Sequence, residues 1–377
     1  MKPLYKIGSV PFFLYINLIS KLIAVDRIYL KQADILESKT VNKESIKFIS
    51  GNVIFEKGNL IFKCDDGEHY EKNELVIMYN NVSAIENQRT LKCDTIKYFS
   101  LENRLLSIGD SHIWDNDYDL KADSLTVFTD IDSGVAIGNV ILKQKGQTIN
   151  AERIEYKKNK EHDGISYTAI GNVIIKDSSR QATCGKANYN RKNEMTKLTI
   201  EPEINENDRI LKGEQIFLYY DQEKLNKLHI PKKAFAITPT KGFSQSKSDT
   251  LKKGDSLQFS DHMEGSQLIS FFQNGVMDSM RLEGMAKTMY HVFEDSIYKG
   301  NNQVSGDTIT ISFLNKELDK INILGGSEGK YTPDSISNEL NLPILYKASK
   351  IKYYLKDDKS DFKGNVNIKH DQTTLDA

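Results

Sequence analysis

The feature of this chain that most constrains its fold is a sequence repeat with a period near 29 residues. Gly-Asn-Val occurs at Gly51, Gly138 and Gly171, with the related Asn80-Asn81-Val82 and Gly109-Asp110-Ser111 between them. Successive starts are separated by 29, 29, 29 and 33 residues. A fixed period of this length indicates stacked structural units, each of which buries its apolar surface mainly against its neighbours.

A second marker, a small residue followed by an acid, keeps the same period. Its successive steps are 31, 29, 29 and 29 residues. The pattern continues less regularly to Gly364-Asn365-Val366, with longer insertions between markers. The regular occurrences are Ala33-Asp34, Cys64-Asp65, Cys93-Asp94, Ala122-Asp123 and Ala151-Glu152.

Within each unit, apolar and polar residues alternate with period 2. After Asp123, for example, Leu125 and Val127 share one parity, and Ser124 and Thr126 have the other. This alternation is typical of a strand with one buried and one solvated face. No proline occurs between Pro11 and Pro202, as hydrogen-bonded strands require. We therefore predict an all-β fold with antiparallel hairpins joined by polar turns.

Composition excludes several classes of function. The 51 Lys and Arg residues balance 52 Asp and Glu residues, giving a formal charge of −1. A chain without a basic excess has no overall field for nucleic acid, so we expect no nucleic-acid partner. Hydrophobic residues form 39% of the chain and charged residues 27%, which favours a folded protein.

No catalytic or metal-binding motif is evident. The seven histidines are dispersed, and the acidic run Asp115 to Asp119 lacks the glycine and glutamate of a calcium loop. We interpret the repeated acids as structural, and Cys64 and Cys93 as small packing residues at equivalent repeat positions. We expect a non-enzymatic protein without a cofactor or metal.

The domain organisation follows from where the repeat is regular. Residues 1–25 resemble a signal peptide or a retained N-terminal anchor, because Lys2 and Lys6 precede the apolar run from Ile7 to Ile19. Residues 26–237 form the regular repeat domain. Residues 238–254, rich in Ser, Thr and Lys, are predicted to be a linker or insertion, and residues 255–377 a diverged second β domain.

The ordered repeat resembles the OstA/LptA family of lipopolysaccharide-transport proteins. The resemblance is carried by Ala122-Asp123-Ser124-Leu125 to Gly138-Asn139-Val140, by the block from Ala151 to Val173, and by Gly213-Glu214-Gln215-Ile216-Phe217-Leu218-Tyr219. It covers most of residues 33–237 and returns in a looser form in the second half. It implies a β-jellyroll (β-taco) of two facing antiparallel sheets, built from repeats of about 30 residues.

The resemblance also implies a ligand and a location. Such a jellyroll would shield the acyl chains of lipopolysaccharide in an apolar groove within the periplasm, near the inner or outer membrane. The candidate groove lining consists of the apolar residues that alternate onto the inward side of each strand. They are Val53, Phe55, Ile96, Tyr98, Leu125, Val127, Val140, Leu142, Ile154, Tyr156, Val173, Ile175, Ile216 and Leu218.

Partners and alternatives complete the set of expectations. Open terminal strands predict edge-strand pairing with other jellyroll-containing transport proteins, or a head-to-tail homo-oligomer. The same residues could instead fill a closed core that contacts no ligand. A parallel β-helix acting as a surface adhesin or polysaccharide-active protein, and a structural envelope scaffold, are the competing hypotheses.

Overall fold

The computed structural model describes most of the chain. The described residues are 27–41, 44–116, 118–128, 131, 133–144, 146–159, 164–206, 208–222, 224–245, 253–315, 317–336, 340–355 and 359–377. The predicted signal or anchor segment, residues 1–25, lies outside them.

The described chain is built from β-strands, with one 3₁₀ turn at Ser100–Glu102. This confirms the predicted all-β class. The strands up to residue 190 are β1 (Tyr29–Gln32), β2 (Ile35–Val41), β3 (Glu44–Lys57), β4 (Leu60–Tyr70), β5 (Leu75–Glu86), β6 (Arg89–Phe99), β7 (Arg104–Trp114), β8 (Tyr118–Phe128), β9 (Ser133–Gln144), β10 (Gln147–Asn159), β11 (Gly164–Lys176) and β12 (Arg180–Asn190).

The remaining strands are shorter at first and then longer. They are β13 (Met195–Thr199), β14 (Glu203–Glu206), β15 (Arg209–Lys212), β16 (Gln215–Asp221), β17 (Lys224–Ile230), β18 (Ala234–Gln245), β19 (Lys253–Gly265), β20 (Gln267–Gln273), β21 (Val276–Glu294), β22 (Ile297–Leu314), β23 (Glu317–Pro333), β24 (Ile344–Tyr354), β25 (Lys359–Lys363), β26 (Asn367–His370) and β27 (Thr373–Asp376).

The described residues divide into two compact units. The N-terminal unit comprises residues 27–178 and 183–196, and the C-terminal unit comprises residues 179–182 and 197–377. This division comes well before the predicted linker. Of the predicted linker or insertion, residues 238–245 lie in β18, which forms an antiparallel hairpin with β19. Residues 246–252 lie outside the described part of the chain.

The N-terminal unit is an antiparallel meander from β2 to β11. Each of these strands pairs with the next one along the chain. The short β1 continues the edge by pairing with the second half of β3, from Tyr29↔Glu56 to Gln32↔Ile54. A parallel β-helix is therefore excluded for this unit, since its coils would pair in parallel.

Every long strand of this meander contains a β-bulge near its middle. The pairing of β7 with β8, for example, shifts between Ile108 and Ser111, so that the Gly-Asp pair lies opposite the single Asp123. A bulge of this kind bends the strand. Each strand thus has two arms. Arm A comprises the second halves of β3, β5, β7 and β9 with the first halves of the strands that pair with them next along the chain. Arm B comprises the second halves of β4, β6, β8 and β10 with the first halves of the strands that follow them.

The two arms face each other across the core. Phe55 of arm A reaches arm B, where its ring lies 3.4 Å from the position that a Cβ on Gly67 would occupy. The rings of Phe62 (arm A) and Tyr98 (arm B) have centroids 6.3 Å apart. The repeat therefore produces the two facing antiparallel sheets of a β-jellyroll.

The C-terminal unit repeats this plan with longer strands. One half of β21 pairs with β20 and the other half with β19, and β24 similarly pairs with β25 and β26. Its described pairings are antiparallel apart from one parallel bridge, Phe243↔Ile297. Bulges occur again at Gly284 and at Gly325.

Candidate functional site

The two sequence markers of the repeat meet at each bulge. Gly138 has φ of +81°, and a Cβ there would lie 2.8 Å from the Cβ of Asp123. Gly51, Gly109, Gly171 and Gly325 are related in the same way to an acid on the preceding strand or just before it. Only glycine combines this backbone conformation with this close approach.

The asparagine that follows the glycine completes the contact. Asn139 Nδ2 donates to the Asp123 carboxylate at 3.1 Å, Asn52 Nδ2 to Asp34 at 2.8 Å, and Asn172 Nδ2 to Glu152 at 2.6 Å. At the double-asparagine bulge, Asn80 bonds Asp66 at 2.8 Å. The repeated acids therefore hold the bend of each strand.

The bulge also decides which side chains face the core. Along β8 the buried residues Leu120 and Ala122 have even numbers, and beyond Asp123 the buried residues Leu125 and Val127 have odd numbers. The parity of the buried residues changes at Asp123, the single residue that lies opposite the two bulge residues Gly109 and Asp110 of β7. Both arms can thus point their apolar side chains into the same interior.

All fourteen predicted lining residues are buried, each with at most 3% of its surface exposed. Twelve lie in the N-terminal unit, where the structure brings them onto the two facing arms. Ile216 and Leu218 lie on β16 in the C-terminal unit. As described, these side chains fill a closed interior. Full burial of each aliphatic side chain contributes roughly 1.5–3 kcal/mol to folding.

Sequence reasoning missed half of this interior. In arm A, one continuous cross-strand row connects β3 to β11, and six of its members were not predicted. The change of parity across each acid is the signal that would have found the four on acid-bearing strands, Phe62, Leu91, Leu120 and Ile149. The row is Phe55, Phe62, Ala84, Leu91, Ile113, Leu120, Leu142, Ile149 and Ile175, with Phe62, Ala84, Leu91, Ile113, Leu120 and Ile149 unpredicted.

Beyond this row, the free ends of arm A carry a second row that is polar although it is partly or fully buried. Lys57, Tyr118, Gln144 and Gln147 are each less than one-tenth exposed. Between them, Arg89 lies 3.7 Å from Glu86 and 3.8 Å from Asp115 in ion pairs. We call these seven residues the polar rim.

The chemistry of the polar rim differs from that of the row beneath it. Burial raises the pKa of the Glu86 carboxyl and of the Tyr118 phenol, because the charged form loses its hydration. The Nε2 atoms of Gln144 and Gln147 have no hydrogen-bond partner in the described structure. Unsatisfied buried amides cost roughly 1–3 kcal/mol each. The closed arrangement of the two arms is therefore less stable at the polar rim than it would be with apolar side chains there.

The polar rim meets the far ends of arm B and closes the interior. The Lys57 ammonium donates to the hydroxyl of Tyr98, and its Nζ lies 4.6 Å from the centroid of the Tyr98 ring. Burial raises the pKa of Tyr98 to about 12. Farther along arm B, Tyr156, Tyr167 and Tyr189 form a ladder with ring centroids 5.4 and 6.1 Å apart.

Cys64, Cys93 and Cys184 are buried, and burial raises the pKa of Cys64 and of Cys93 to about 12. The described residues contain no group of three or more His, Cys, Asp or Glu side chains placed to hold a metal ion. Within the same residues, no helix has the length and apolar character needed to cross a membrane.

Comparisons with known proteins point to one family. Residues 119–224 match the family model described as LptA/(LptD N-terminal domain) LPS transport protein. This segment contains the predicted lining residues from Leu125 onward. No curated protein matches the chain.

A solved structure is also similar over part of the chain. It is LptH from Pseudomonas aeruginosa, the LptA-homologous periplasmic component of the lipopolysaccharide transport device, with 17% sequence identity and a TM-score of 0.25. The match covers 28% of this chain and 80% of LptH. The family match over residues 119–224 confirms the resemblance read from the repeat, and this segment is similar to the LptA/LptD N-terminal family.

Proposed function

We propose that this protein carries lipopolysaccharide through the periplasm, with the acyl chains held between arms A and B of the N-terminal unit. The observation that carries the proposal is the family match over residues 119–224, which includes much of the paired apolar rows of that unit. Lipopolysaccharide transport is the role of the matching family, and its extension to this chain is our inference.

Physical chemistry supports an acyl-chain ligand for this interior. Strands of 11–14 residues bend at their bulges, so each arm is five or six residues long. At ~3.3 Å per residue an arm spans ~17–20 Å, which is comparable to the ~15 Å hydrocarbon thickness of one membrane leaflet. The interior between the arms is lined by aliphatic and aromatic side chains that a hydrocarbon chain could replace as packing partners.

Loading requires the arms to separate, because the lining residues are buried. The polar rim is where separation costs least: water can hydrate Glu86 and Arg89, and can satisfy the orphaned amides of Gln144 and Gln147. Opening there would exchange core contacts between the arms for contacts with acyl chains.

The proposal extends to partners and assembly. All seven residues of β2 are exposed, including Ile35 and Leu36, and β2 pairs with β3 along one side. An exposed apolar edge strand is suited to β-augmentation by another jellyroll. We therefore propose that the chain bridges to other transport proteins, or to copies of itself, by edge pairing.

Site-specific photo-crosslinking tests the ligand assignment. Photoreactive residues at Leu142 and Ile154 face the interior, and those at the neighbouring positions Lys143 and Glu155 face solvent and serve as matched controls. We expect lipopolysaccharide to be captured from the two interior positions. Capture only from Lys143 and Glu155 would refute the assignment.

A second candidate, a structural envelope scaffold, is favoured by one observation. The lining residues are fully packed, as in a core that contacts no ligand. No capture at any of the four positions, with normal lipopolysaccharide delivery after depletion of the protein, would support the scaffold and exclude the carrier.

A further inference from the structure

The C-terminal unit has an open concavity of about 770 Å³ on its outward face. It crosses β18, β19, β21, β22, β23, β24 and β26, and it lies outside every residue predicted from the repeat. Its volume falls within the ~300–1,000 Å³ range of small-molecule sites. It is therefore large enough for a ligand with an acyl chain.

The strand register shows how the concavity is lined. One cross-strand row contains His262, Met289, Gln303, Lys330, Leu345 and Lys369. The row beside it contains Phe235, Glu264, Lys287, Ser305, Glu328 and Lys347. Apolar side chains project from both rows, and Leu345 is 47% exposed although it is a large aliphatic residue.

The charges of the concavity leave a positive excess at one place. Lys287 pairs with Glu264 at 3.5 Å and Lys347 with Glu328 at 2.6 Å, so these two lysines are neutralised. Lys330 and Lys369 form no ion pair with any carboxylate of the described chain.

The two unpaired lysines flank the exposed leucine. Lys330 is opposite Leu345 on one side and Lys369 is opposite it on the other. At ~4.8 Å between neighbouring strands, their backbones are about 10 Å apart. An apolar residue between two ammonium groups suits a ligand with an anionic head and a hydrocarbon chain, because phosphate forms charge-assisted hydrogen bonds with both lysines.

We propose that this concavity binds an anionic amphiphile, with its phosphate between Lys330 and Lys369 and its acyl chain over Leu345 and Met289. The site is on the outward face of the C-terminal unit, so it is independent of the interior proposed above to carry lipopolysaccharide. It gives the chain a second class of lipid contact.

Binding of lysophosphatidic acid to the full chain, measured by isothermal titration calorimetry below the micelle concentration, tests the site. We expect K330E/K369E to weaken binding at least tenfold and L345S to weaken it several-fold. The matched control is K350E/K363E, which changes the charge equally at a cross-strand lysine pair outside the concavity and should bind as the wild type does. K330Q/K369Q provides a milder version if charge reversal impairs folding.

Two further ligands separate the contributions of head and chain. Inorganic phosphate and the zwitterionic lysophosphatidylcholine should each bind much more weakly than lysophosphatidic acid. Equal binding of lysophosphatidylcholine, unchanged affinity in K330E/K369E, or an equal loss in K350E/K363E would each overturn the proposal. Crosslinking from Leu142 should be unaffected by K330E/K369E, which distinguishes failure of this site from failure of the carrier function.

Discussion

At the scale of single residues, the glycine and the acid of each repeat act together. The positive φ of Gly138 places its backbone against the Asp123 side chain, and Asn139 then donates to the same carboxylate. The acid has no catalytic partner in this arrangement. Its position is explained by the need to accept the amide hydrogen of Asn139 and to leave no room for a side chain at residue 138.

Replacing Gly138 with alanine tests this fit. Gly146 is the matched control, because it also has positive φ (+83°) but has nothing within 4 Å of the added Cβ. Backbone strain should cost both variants roughly 1–2 kcal/mol. Displacement of the Asp123 side chain should cost Gly138→Ala a further ~1–3 kcal/mol in the free energy of unfolding, measured with urea. Equal losses in the two variants would contradict the proposed contact.

The buried thiols predict a pH dependence. Burial raises the pKa of Cys64 and of Cys93 to about 12 in the folded state, whereas the pKa of a thiol in the unfolded chain is ~8.5. As pH rises from about 8.5 to 12, the unfolded chain loses these protons first, so stability falls. The double variant C64A/C93A should show a shallower fall in urea midpoint over this range. Because Ala122 and Ala151 occupy the equivalent positions, its stability at pH 7 should remain close to that of the wild type. An identical pH profile would contradict a buried titration.

At the scale of elements, the bulge sets the orientation of an entire arm. Val140, Leu142 and Gln144 all follow the bulge of β9 and all point inward. Removing one residue from the bulge would turn these three side chains toward solvent, because the side-chain period of a strand is two residues.

Deletion of Asn139 should therefore abolish cooperative unfolding of the N-terminal unit, as followed by circular dichroism. The control is Asn139→Gly, which keeps the bulge length and tolerates the φ of +46°. It loses the exposed contacts of Asn139 Nδ2 with both Asp123 carboxylate oxygens and should cost only about 1 kcal/mol. Native-like unfolding of the deletion variant would show that the register is not fixed by the bulge.

Much of the arrangement of the strands was predictable from the sequence. The 29-residue period and the alternation after Asp123 gave the antiparallel strands and the inward positions Leu125 and Val127. The inward positions before the acid, such as Leu120 and Ile149, were missed because a single period of two was read without the parity change. The continuation of β18 into the predicted linker or insertion as far as Gln245 was not foreseen, since Ser, Thr and Lys are as suitable for the solvated face of a strand as for a loop.

At the scale of the whole molecule, the two units have different interiors. Between arms A and B the N-terminal unit is mainly apolar. In the C-terminal unit, Tyr353 donates to Tyr346, Tyr346 donates to Asn302 at 2.5 Å, and Asn302 donates to Tyr290 at 2.8 Å. Separating these groups for an acyl chain would leave buried polar atoms unsatisfied, at roughly 1–3 kcal/mol each.

This difference predicts where lipopolysaccharide binds. A photo-crosslinker at Ala348, which is buried on the same strand as Tyr346, should capture no lipopolysaccharide. The crosslinker at Leu142 is the positive control in the N-terminal unit. Equal capture from Ala348 would mean that the hydrogen-bonded interior of the C-terminal unit also admits acyl chains.

The sequence by itself determined the local architecture: all-β units, antiparallel hairpins, and the residues that mark each bend. These features depend on contacts between neighbouring strands, which a periodic sequence encodes directly. The tertiary structure alone decided that Lys57 meets Tyr98 and closes the interior, that Gln144 and Gln147 are buried without partners, and that Lys330, Leu345 and Lys369 line one concavity. Those groupings depend on how the strands bend and twist, and therefore on contacts between residues that are far apart in sequence.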